Sequence, residues 1–203
     1  VQTGSSMLSN EGYSSLHYAG FAPWTYYLYE QLYDADGKPI QNAFVDRDGD
    51  GQITTADRYL TGCSSTPWAY YGFHTQLRWK NWDFGINGHG SIGAELLNKT
   101  AMGYSAYASD NHTKEYIDNL SPAWLIPEWN KINSDEQRQS DLWIEDATFF
   151  KIDDINLGYT FHLKNDLKIR LAGSVQNVCT FTKYSGLDPE IGSGDGVDST
   201  IYP

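Results

Sequence analysis

Apolar and polar side chains alternate residue by residue along two segments of the chain, and turn residues interrupt each segment once. In the longer segment, 147–178, the apolar positions are Ile155, Leu157, Tyr159 and Phe161 before the turn and Leu167, Ile169, Leu171 and Val175 after it. A period of two places the apolar side chains on one face of a strand and the polar ones on the other. Residues 164–166 (Lys-Asn-Asp) have turn chemistry, so the segment predicts an antiparallel hairpin whose two faces meet different surroundings.

The second alternating segment, 70–92, predicts another hairpin around a two-residue turn at Lys80 and Asn81. Its apolar positions are Tyr71, Phe73, Leu77 and Trp79 before the turn and Trp82, Phe84 and Ile86 after it. Each strand has the roughly nine to ten residues that a tilted strand needs to cross a bilayer. Trp79 and Trp82 flank the turn, where they would lie at the membrane–water boundary of a barrel or in the core of a soluble sandwich.

The rest of the chain predicts one more strand region, at 23–33, a loop at 1–22 and a short helix at 113–120. The long connections are 34–69, 93–146 and 179–203. Because antiparallel strands alternate in direction, the short turns gather at one end of the sheet and the long connections at the other, as in outer-membrane barrels. The pattern therefore predicts an all-β fold: antiparallel strands of a transmembrane β-barrel with long extracellular loops.

An acidic motif in the first long connection has the spacing of a calcium-binding loop. Asp46, Asp48 and Asp50 occupy loop positions 1, 3 and 5, Gly51 provides the sharp turn at position 6, Gln52 offers a backbone carbonyl at position 7, and Asp57 closes the loop at position 12. Three carboxylates so close repel one another unless a cation lies between them. Calcium suits such an oxygen cage better than magnesium, which remains an alternative. An acidic turn without metal also fits the pattern.

The amino-acid composition argues against some classes of function. The chain has 26 acidic and 14 basic residues, for a formal net charge of −12, which argues against a nucleic-acid partner because phosphate binding needs clustered Lys and Arg. No run of 18 apolar residues is present, so a membrane helix is not predicted. Strands of a membrane barrel remain compatible with this composition, because they carry apolar residues only at alternate positions.

No catalytic motif stands out, and an enzyme is not predicted. The five histidines are scattered without the spacing of metal ligands, and no nucleophile motif or phosphate-binding loop is present. The neighbouring carboxylates at 145–146 and 153–154 would point to opposite faces of a strand. The two cysteines, Cys63 and Cys179, are too few for a disulfide framework, and their pairing is left open.

Three stretches of sequence resemble a known family. They are YEQLYDADGKPI (29–40), running into the acidic loop to residue 58; LWIEDATFFKI (142–152), continuing through INLGY (155–159); and VQNV (175–178), leading to TKYSGLDPE (182–190). Together with the hairpin at 78–84 they cover most of residues 23–190. In these stretches the chain resembles the C-terminal barrel region of the SusC/RagA-like TonB-dependent outer-membrane transporters.

The resemblance implies strands of a barrel of about 22 strands in the outer membrane of a Gram-negative bacterium, surrounded by lipid and lipopolysaccharide. It further implies import of oligosaccharide, or in some members peptide, together with a SusD-like surface lipoprotein and with energy from TonB. The plug that contacts TonB and most of the strands are missing from these 203 residues. The chain is therefore expected to be part of a longer protein, because open sheet edges are not tolerated in lipid.

The barrel interpretation assigns the two faces of the hairpins to different surroundings. Facing lipid are Phe73, Trp82, Ile155 and Leu157, and facing a wet lumen are His74, Arg78, Asn87, His89, Lys168 and Arg170. Three aromatic residues in a long connection, Tyr104, Tyr107 and Trp124, are candidates for cargo binding, since flat rings suit sugar faces. Packing of those rings against the barrel rim is an equal alternative. A secreted, calcium-stabilised, glycan-binding β-sandwich is the second interpretation of the whole chain.

Overall fold

The computed structural model describes residues 2–9, 12–104, 139–190 and 197–198, and these residues lie mostly in strands. In chain order the strands are β1 (Gln2–Ser9), β2 (Gly12–Tyr18), β3 (Thr25–Leu28), β4 (Gln31–Tyr33), β5 (Pro39–Phe44), β6 (Tyr59–Ser64), β7 (Ala69–Trp79), β8 (Trp82–Ile92), β9 (Glu95–Asn98), β10 (Ile144–Asp146), β11 (Phe149–His162), β12 (Lys168–Thr182) and β13 (Val197–Asp198). The helix α1 spans Lys99–Tyr104, and single 3-10 turns span Thr55–Asp57 and Asp141–Trp143. Among the described residues, every helix is too short or too polar to cross a membrane.

The chain divides into two compact units. One, here called the hairpin unit, comprises residues 67–94 and 147–184; the other, here called the loop unit, comprises residues 1–66, 95–146 and 185–203. The hairpin unit contains β7, β8, β11 and β12, and the loop unit contains the other strands and α1.

The hairpin unit is a four-stranded antiparallel sheet in the order β12-β11-β8-β7. Both predicted hairpins are confirmed: Trp79 pairs with Trp82 at one turn, and His162 pairs with Lys168 at the other. Lys80 adopts a φ of 53° in the first turn, and Asn165 and Asp166 adopt φ angles of 65° and 57° in the second. Left-handed residues of this kind match the turn to the twist of the strands, which explains why the turns are so short.

A β-bulge at Asp153 keeps the apolar side chains of β11 on one face. Along the sequence Phe150 and Ile152 occupy even positions, whereas the apolar residues from Ile155 onward occupy odd ones, so an unbroken strand would split them between the two faces. The register slips between Ile152 and Asp154 relative to both neighbouring strands. The extra residue restores the alignment, which is the usual effect of a bulge.

The strand β12 extends beyond the predicted end of the second hairpin at Val178. Its pairing with β11 continues from Cys179 to Thr182. The shift in register is accommodated at Asn177, which adopts a φ of 51°. Asparagine tolerates this left-handed conformation better than most residues, so the strand passes the irregularity and continues.

The loop unit is built from shorter strands around a small core. Its sheets are β1-β2-β3-β6, β10-β9-β13 and β4-β5, and its core cluster consists of Tyr26, Leu28, Leu97, Met102 and Trp143. The hydroxyl of Tyr26 donates to the carbonyl oxygen of Glu95 at 2.9 Å and accepts from the N–H of Leu97 at 3.3 Å. The buried ring is thereby fixed to β9 by polar contacts as well as by packing.

Residues 1–22 are mostly strand, not the loop that their Ser- and Gly-rich composition predicts. β1 and β2 pair with each other, and β2 pairs with β3. Strand formation depends on neighbours that pair with the segment, and composition carries little of that information. The long connections also contain short strands, namely β5, β6, β9, β10 and β13. The helix predicted at 113–120 lies outside the described residues.

Candidate functional site

The apolar side chains of all four strands in the hairpin unit share one face of its sheet. The pairing aligns Leu77 with Phe84 and Leu157, Trp79 with Trp82 and Tyr159, Ile86 with Ile155 and Val175, and Phe161 with Ile169. Many of these side chains are exposed to solvent: Leu171 is 70 %, Trp79 67 % and Val175 60 % exposed. The sandwich interpretation requires this face to be a buried core, whereas these side chains are exposed in the part of the chain that the structure describes.

Aromatic side chains form a cluster at each end of this apolar face. The turn-end cluster consists of Trp79, Trp82, Tyr159 and Phe161, and the far-end cluster of Tyr71, Phe73, Phe150 and Phe181. In the turn-end cluster the ring centroids of Trp82 and Tyr159 lie 4.7 Å apart in edge-to-face geometry. In the far-end cluster Phe150 stacks on Tyr71 at 6.2 Å, on Phe73 at 5.5 Å and on Phe181 at 6.1 Å.

Glycines in β8 allow the far-end cluster to form. A Cβ atom added to Gly88 would lie 2.3 Å from Cε1 of Phe73, and one added to Gly90 would lie 2.5 Å from the ring and hydroxyl of Tyr71. The two rings therefore lie over the bare backbone of β8 and reach Phe150 in β11. The hydroxyl of Tyr71 also donates to the carbonyl oxygen of Phe149 at 3.0 Å.

The distance between the two clusters is close to the height of the apolar band of an outer-membrane barrel. Trp82 lies in the turn-end cluster, and Gly90 lies eight residues further along β8, beneath Tyr71 of the far-end cluster. Eight residues of strand span about 26 Å, or roughly 20 Å across the membrane at the usual strand tilt. The apolar band of outer-membrane barrels is about 25 Å tall and is bounded by aromatic girdles. The apolar face has the same arrangement.

The opposite face of the same sheet is polar. All six residues predicted to face a lumen lie on it, because each pairs with another polar-face position or with a glycine. His74 forms a hydrogen bond with Asn87, and Nδ1 of His89 lies 2.7 Å from a carboxylate oxygen of Asp153. Asp83 and Arg170 form an ion pair. One sheet thus separates an apolar surface from a charged one.

The acidic loop in the loop unit brings three of the five predicted metal ligands together. Asp46, Asp48 and Asp50 are exposed, and each offers an oxygen within 4.8 Å of those of the other two. The backbone holds these carboxylates in place, since the N–H of Gly49 donates to Asp46 at 2.7 Å, that of Asp50 to Asp48 at 3.1 Å and that of Gln52 to Asp50 at 2.7 Å. Gly49 and Gly51 adopt φ angles of 76° and 80°, which favour glycine.

Asp57 is engaged by the backbone of its own loop. Its side chain is fully buried, and its carboxylate accepts from the N–H of Arg47 at 2.8 Å and of Thr54 at 2.7 Å. The hydrogen bond from Thr54, with those from Arg47 and Asp48, holds the pKa of Asp57 below its ordinary value despite desolvation. Asp57 therefore ties the two halves of the loop together, and its predicted role as a metal ligand stays a prediction, as does that of the Gln52 carbonyl.

Electrostatics in the loop fit a bound cation. The backbone N–H of Asp50 lowers the pKa of Asp48, but desolvation and the charges of Asp50, Asp57 and Asp46 outweigh it, so that the pKa of Asp48 is raised. A divalent cation between the carboxylates would relieve this repulsion. The donors are hard oxygens with irregular geometry, a set that calcium accepts more readily than magnesium.

The structure describes only some of the other candidate residues. Tyr104 ends α1, whereas its side chain and the residues Tyr107 and Trp124 lie outside what the structure describes. Cys63 and Cys179 are both free thiols in the structure. Burial, together with a hydrogen bond and the charge of Glu95, raises the pKa of the Cys63 thiol to about 11.

Sequence analysis missed the far-end aromatic cluster and the bulge that aligns it. Two signals were present. Gly88 and Gly90 lie two positions apart in β8, as do Phe73 and Tyr71 in β7, and the apolar positions of β11 change parity between Ile152 and Ile155. Both signals require the pairing of strands to be known before they can be interpreted.

No protein-family model matches the chain, but comparisons with individual proteins give clear relatives. The chain is 32% identical over 198 residues to the TonB-dependent receptor SusC of Bacteroides thetaiotaomicron, an alignment that covers 92% of the chain and 19% of SusC. It is 34% identical over 160 residues to the TonB-dependent receptor P3 of Formosa agariphila, covering 76% of the chain and 16% of that receptor. Both relatives are named as receptors, and neither is named as an enzyme.

Solved structures show the same fold. The RagAB peptide transporter matches with a TM-score of 0.65 and 18% identity, over 97% of this chain and 22% of that one. The RagAB peptide importer in its open-open state matches with a TM-score of 0.61 at the same identity. The chain spans about a fifth of the length of these proteins.

Proposed function

The chain is a portion of a SusC/RagA-like TonB-dependent receptor, and on that basis we propose that it forms part of the wall of an outer-membrane β-barrel that imports nutrients into a Gram-negative cell. The hairpin unit supplies four strands of the wall. Its apolar face contacts lipid and lipopolysaccharide, and its polar face lines the water-filled lumen.

The observation that carries this proposal is the open apolar face bounded by two aromatic clusters. An apolar side chain gains about 1.5–3 kcal/mol on leaving water, so a surface that exposes Leu171, Val175 and Trp79 together is unfavourable in water. Contact with the hydrocarbon chains of lipid removes this unfavourable exposure along the whole apolar face. The aromatic rings at both ends suit the interfaces, where one edge of each ring stays close to water.

We further propose that the loop unit lies on the extracellular side. The short turns at Lys80–Asn81 and Asn165–Asp166 lie at one end of the sheet of the hairpin unit. In outer-membrane barrels short turns face the periplasm and long connections face outside. In that position the loop unit would meet a SusD-like surface lipoprotein, while TonB would act through a part of the receptor outside these residues.

For the cargo, oligosaccharide is the first candidate, as the sequence resemblance implies, and Tyr104, Tyr107 and Trp124 remain the candidate contacts. Peptide is the second candidate, because the solved structures that share the fold include those of a peptide importer. Calcium bound by Asp46, Asp48 and Asp50 is proposed as a structural clip of the loop unit, supported by their proximity and by the raised pKa of Asp48.

Two measurements on the full-length receptor test this function. In fractionated cells the receptor should float with the outer membrane and require detergent for extraction, and a freely soluble product would contradict the proposal. In a strain lacking the gene, uptake of one class of labelled oligosaccharide should be lost and then restored by the intact gene. Loss of peptide uptake alone would replace the first cargo candidate by the second, and unchanged uptake of both would contradict import by this receptor.

A further inference from the structure

Tyr70 is an exposed aromatic residue on the polar face of the hairpin unit, at the end of the sheet far from the turns. It pairs with Ser91, which in turn pairs with Phe149, and these positions alternate with those of the apolar face along each strand. Its side chain is 78 % exposed, more than that of Leu171 on the apolar face. Contact with lipid accounts for the exposed residues of the apolar face but not for Tyr70, whose face lines the proposed lumen.

A recess, here called the far-end recess, lies beside Tyr70 because the next residue of β7 on this face is a glycine. Among the described residues, and leaving aside its neighbours in the chain, a Cβ atom added to Gly72 would meet only the carbonyl oxygen of Gly88, at 3.7 Å. His74 follows Gly72 on the same face. Four residues of strand separate Tyr70 from His74, a distance of about 13 Å, which leaves room for a sugar ring between the two side chains.

Polar side chains in fixed positions border the far-end recess. His89 of β8 pairs with Gly72, and its Nδ1 lies 2.7 Å from a carboxylate oxygen of Asp153. Asp153 is the extra residue of the bulge in β11, and bulges often redirect a side chain in this way. The ring of Phe149 contacts that of His89 edge-to-face, with 5.6 Å between the centroids. The imidazole of His89 is therefore held by two neighbours.

The polar groups around the far-end recess favour a neutral ligand rich in hydroxyl groups. His74 forms a hydrogen bond with Asn87, so a second polar pair lies beside that of His89. Imidazole, amide and carboxylate groups together offer both donors and acceptors, which is what sugar hydroxyls require. The charged residues paired with these positions or within the bulge are of both signs, namely Lys151, Asp153 and Asp154. No excess of one charge therefore selects an ion.

The position of the recess also favours a sugar over a peptide. Peptides commonly bind to a sheet by adding a strand to a free edge, whereas the recess lies on the face of strands that pair with one another. A flat, exposed ring such as that of Tyr70 suits the apolar face of a sugar. The chemistry of this surface therefore selects an oligosaccharide.

We propose that Tyr70 and the far-end recess bind a sugar ring of a neutral oligosaccharide at the extracellular mouth of the lumen. The ring of Tyr70 lies against one face of the sugar, and the polar pairs of His89 and His74 meet its hydroxyl groups. The inference rests on the proposed function, because it requires the polar face to line the lumen and the far end of the sheet to lie outside. It assigns the cargo to the sugar class and names a contact for it in the barrel wall.

Uptake by cells that carry the full-length receptor tests this proposal. Each variant is expressed in the strain lacking the gene, and the probes are fluorescently labelled neutral oligosaccharides of glucose, mannose, xylose or fructose. Tyr70→Ala should raise the concentration that gives half-maximal uptake of the imported oligosaccharide by about tenfold, the effect of losing a strong aromatic contact. Each rate is divided by the amount of receptor in the outer membrane, so that loss of protein is not mistaken for loss of binding.

Further variants separate stacking on the ring from general packing. Tyr70→Trp keeps a flat ring and should keep the half-maximal concentration near normal, whereas Tyr70→Leu keeps only an apolar side chain and should behave like Tyr70→Ala. Asp153→Asn removes the charge that faces His89 at nearly constant size and should raise that concentration about threefold. Gln76→Ala is the matched control, because Gln76 lies on the same face of β7 but nearer the turn, opposite Gly85. It should leave uptake unchanged.

The outcomes distinguish a failure of the recess from a failure of the proposed function. If an oligosaccharide is imported but Tyr70→Ala leaves its half-maximal concentration unchanged, or Tyr70→Leu performs as well as Tyr70→Trp, the recess proposal fails and the import function stands. If labelled peptides are imported and oligosaccharides are not, the assignment of the cargo to the sugar class fails. If a receptor recovered folded from the outer membrane imports neither, the recess proposal and the proposed function both fail.

Discussion

The ring of Phe73 lies across Gly88, so close that a single added Cβ atom would come within 2.3 Å of ring atom Cε1. The two residues are directly paired in β7 and β8. The ring passes over the glycine and stacks on Phe150 of the next strand, 5.5 Å away between centroids. An aromatic side chain thus covers the gap that glycine leaves in a strand and joins three strands through one contact.

Replacing Gly88 by alanine should therefore destabilise the hairpin unit. The new methyl group meets the ring of Phe73 and, at 2.6 Å, the backbone carbonyl of Lys151, which cannot move aside like a side chain. Loss of the stacking contact alone would cost about 0.5–1.5 kcal/mol, and displacement of the backbone adds to this. The thermal unfolding midpoint of the full-length receptor in detergent should fall.

Gly173→Ala is the matched control for this change. Gly173 lies on the same apolar face, opposite Leu157, and an added Cβ atom there meets nothing within 4 Å. Its unfolding midpoint should stay close to that of the unmodified receptor. If both glycine variants unfold at the same temperature, the contact between Phe73 and Gly88 does not contribute to stability.

Cys63 should react slowly with alkylating reagents. Its pKa is raised to about 11, first by burial and then by a hydrogen bond and the charge of Glu95. Since the thiolate is the reactive form, a pKa two units above the ordinary value leaves about a hundredfold less thiolate at pH 8. Alkylation of Cys63 by iodoacetamide in the folded receptor should therefore be far slower than in the denatured chain, and should accelerate as the pH approaches 11.

Glu95→Gln tests the cause of the raised pKa. Removing the negative charge should lower the pKa of Cys63 and speed its alkylation at pH 8. Glu145→Gln changes a carboxylate that bonds to Ser185 and Asn98 in the same unit, and should leave the rate unchanged. A rate for Cys63 equal to that of the denatured chain would show that its thiol is not held protonated.

Much of the hairpin unit could be predicted from the sequence because its signal is local. Alternation on each side of the bulge predicts the face of each side chain, and the two turns predict the pairing of β7 with β8 and of β11 with β12. Prediction of an all-β fold with barrel strands and of a SusC/RagA-like receptor is confirmed by the solved structures and by the curated relatives. Features that depend on long-range pairing, such as the bulge at Asp153, can be recognised only once the pairing of the strands is known.

The loop unit could not be predicted in the same way. β1 and β2 consist of Ser, Gly and scattered apolar residues, and they are strands because neighbouring segments pair with them. Tyr26 reaches β9 through hydrogen bonds to residues about 70 positions away. Contacts between residues so far apart in the sequence produce no periodic pattern in either segment. Each segment taken alone is therefore predicted to be a loop that connects two strands.

The acidic motif predicts that the exposed carboxylates lie close together, but it does not reveal the backbone contacts of Asp57. Loop spacing alone assigns Asp57 to the metal, whereas its oxygens accept backbone hydrogen bonds from both halves of the loop. The assignment of Asp46, Asp48 and Asp50 to a common site needed only their alternate spacing.

The calcium proposal predicts the behaviour of a double variant. Asp48→Ala combined with Asp50→Ala removes two of the three clustered carboxylates, so calcium retained by the purified receptor after dialysis should decrease, as measured by elemental analysis. The loop should also become more susceptible to limited proteolysis. Asp36→Ala changes an exposed carboxylate in a separate turn and should leave the calcium content as it was.

An unchanged calcium content in the double variant would contradict this site. If the unmodified receptor itself retains no calcium, the clustered carboxylates form an acidic turn without metal. If the receptor retains magnesium in place of calcium, the three carboxylates form a metal site whose ion is magnesium.

Two adjacent residues of β12 offer the sharpest test of the lipid-facing surface. Val175 lies on the apolar face, aligned with Ile155 and Ile86 about midway between the two aromatic clusters, and Gln176 lies on the polar face. A charged residue at the bilayer midplane of a barrel costs about 2–4 kcal/mol. Val175→Arg should therefore sharply reduce the folded receptor recovered from the outer membrane. Gln176→Arg adds the same charge to the same strand, but its side chain contacts the water of the lumen. The amount of this variant recovered folded from the outer membrane should therefore stay near normal. Equal recovery of the two variants would show that the alternation of this sheet does not separate lipid from water.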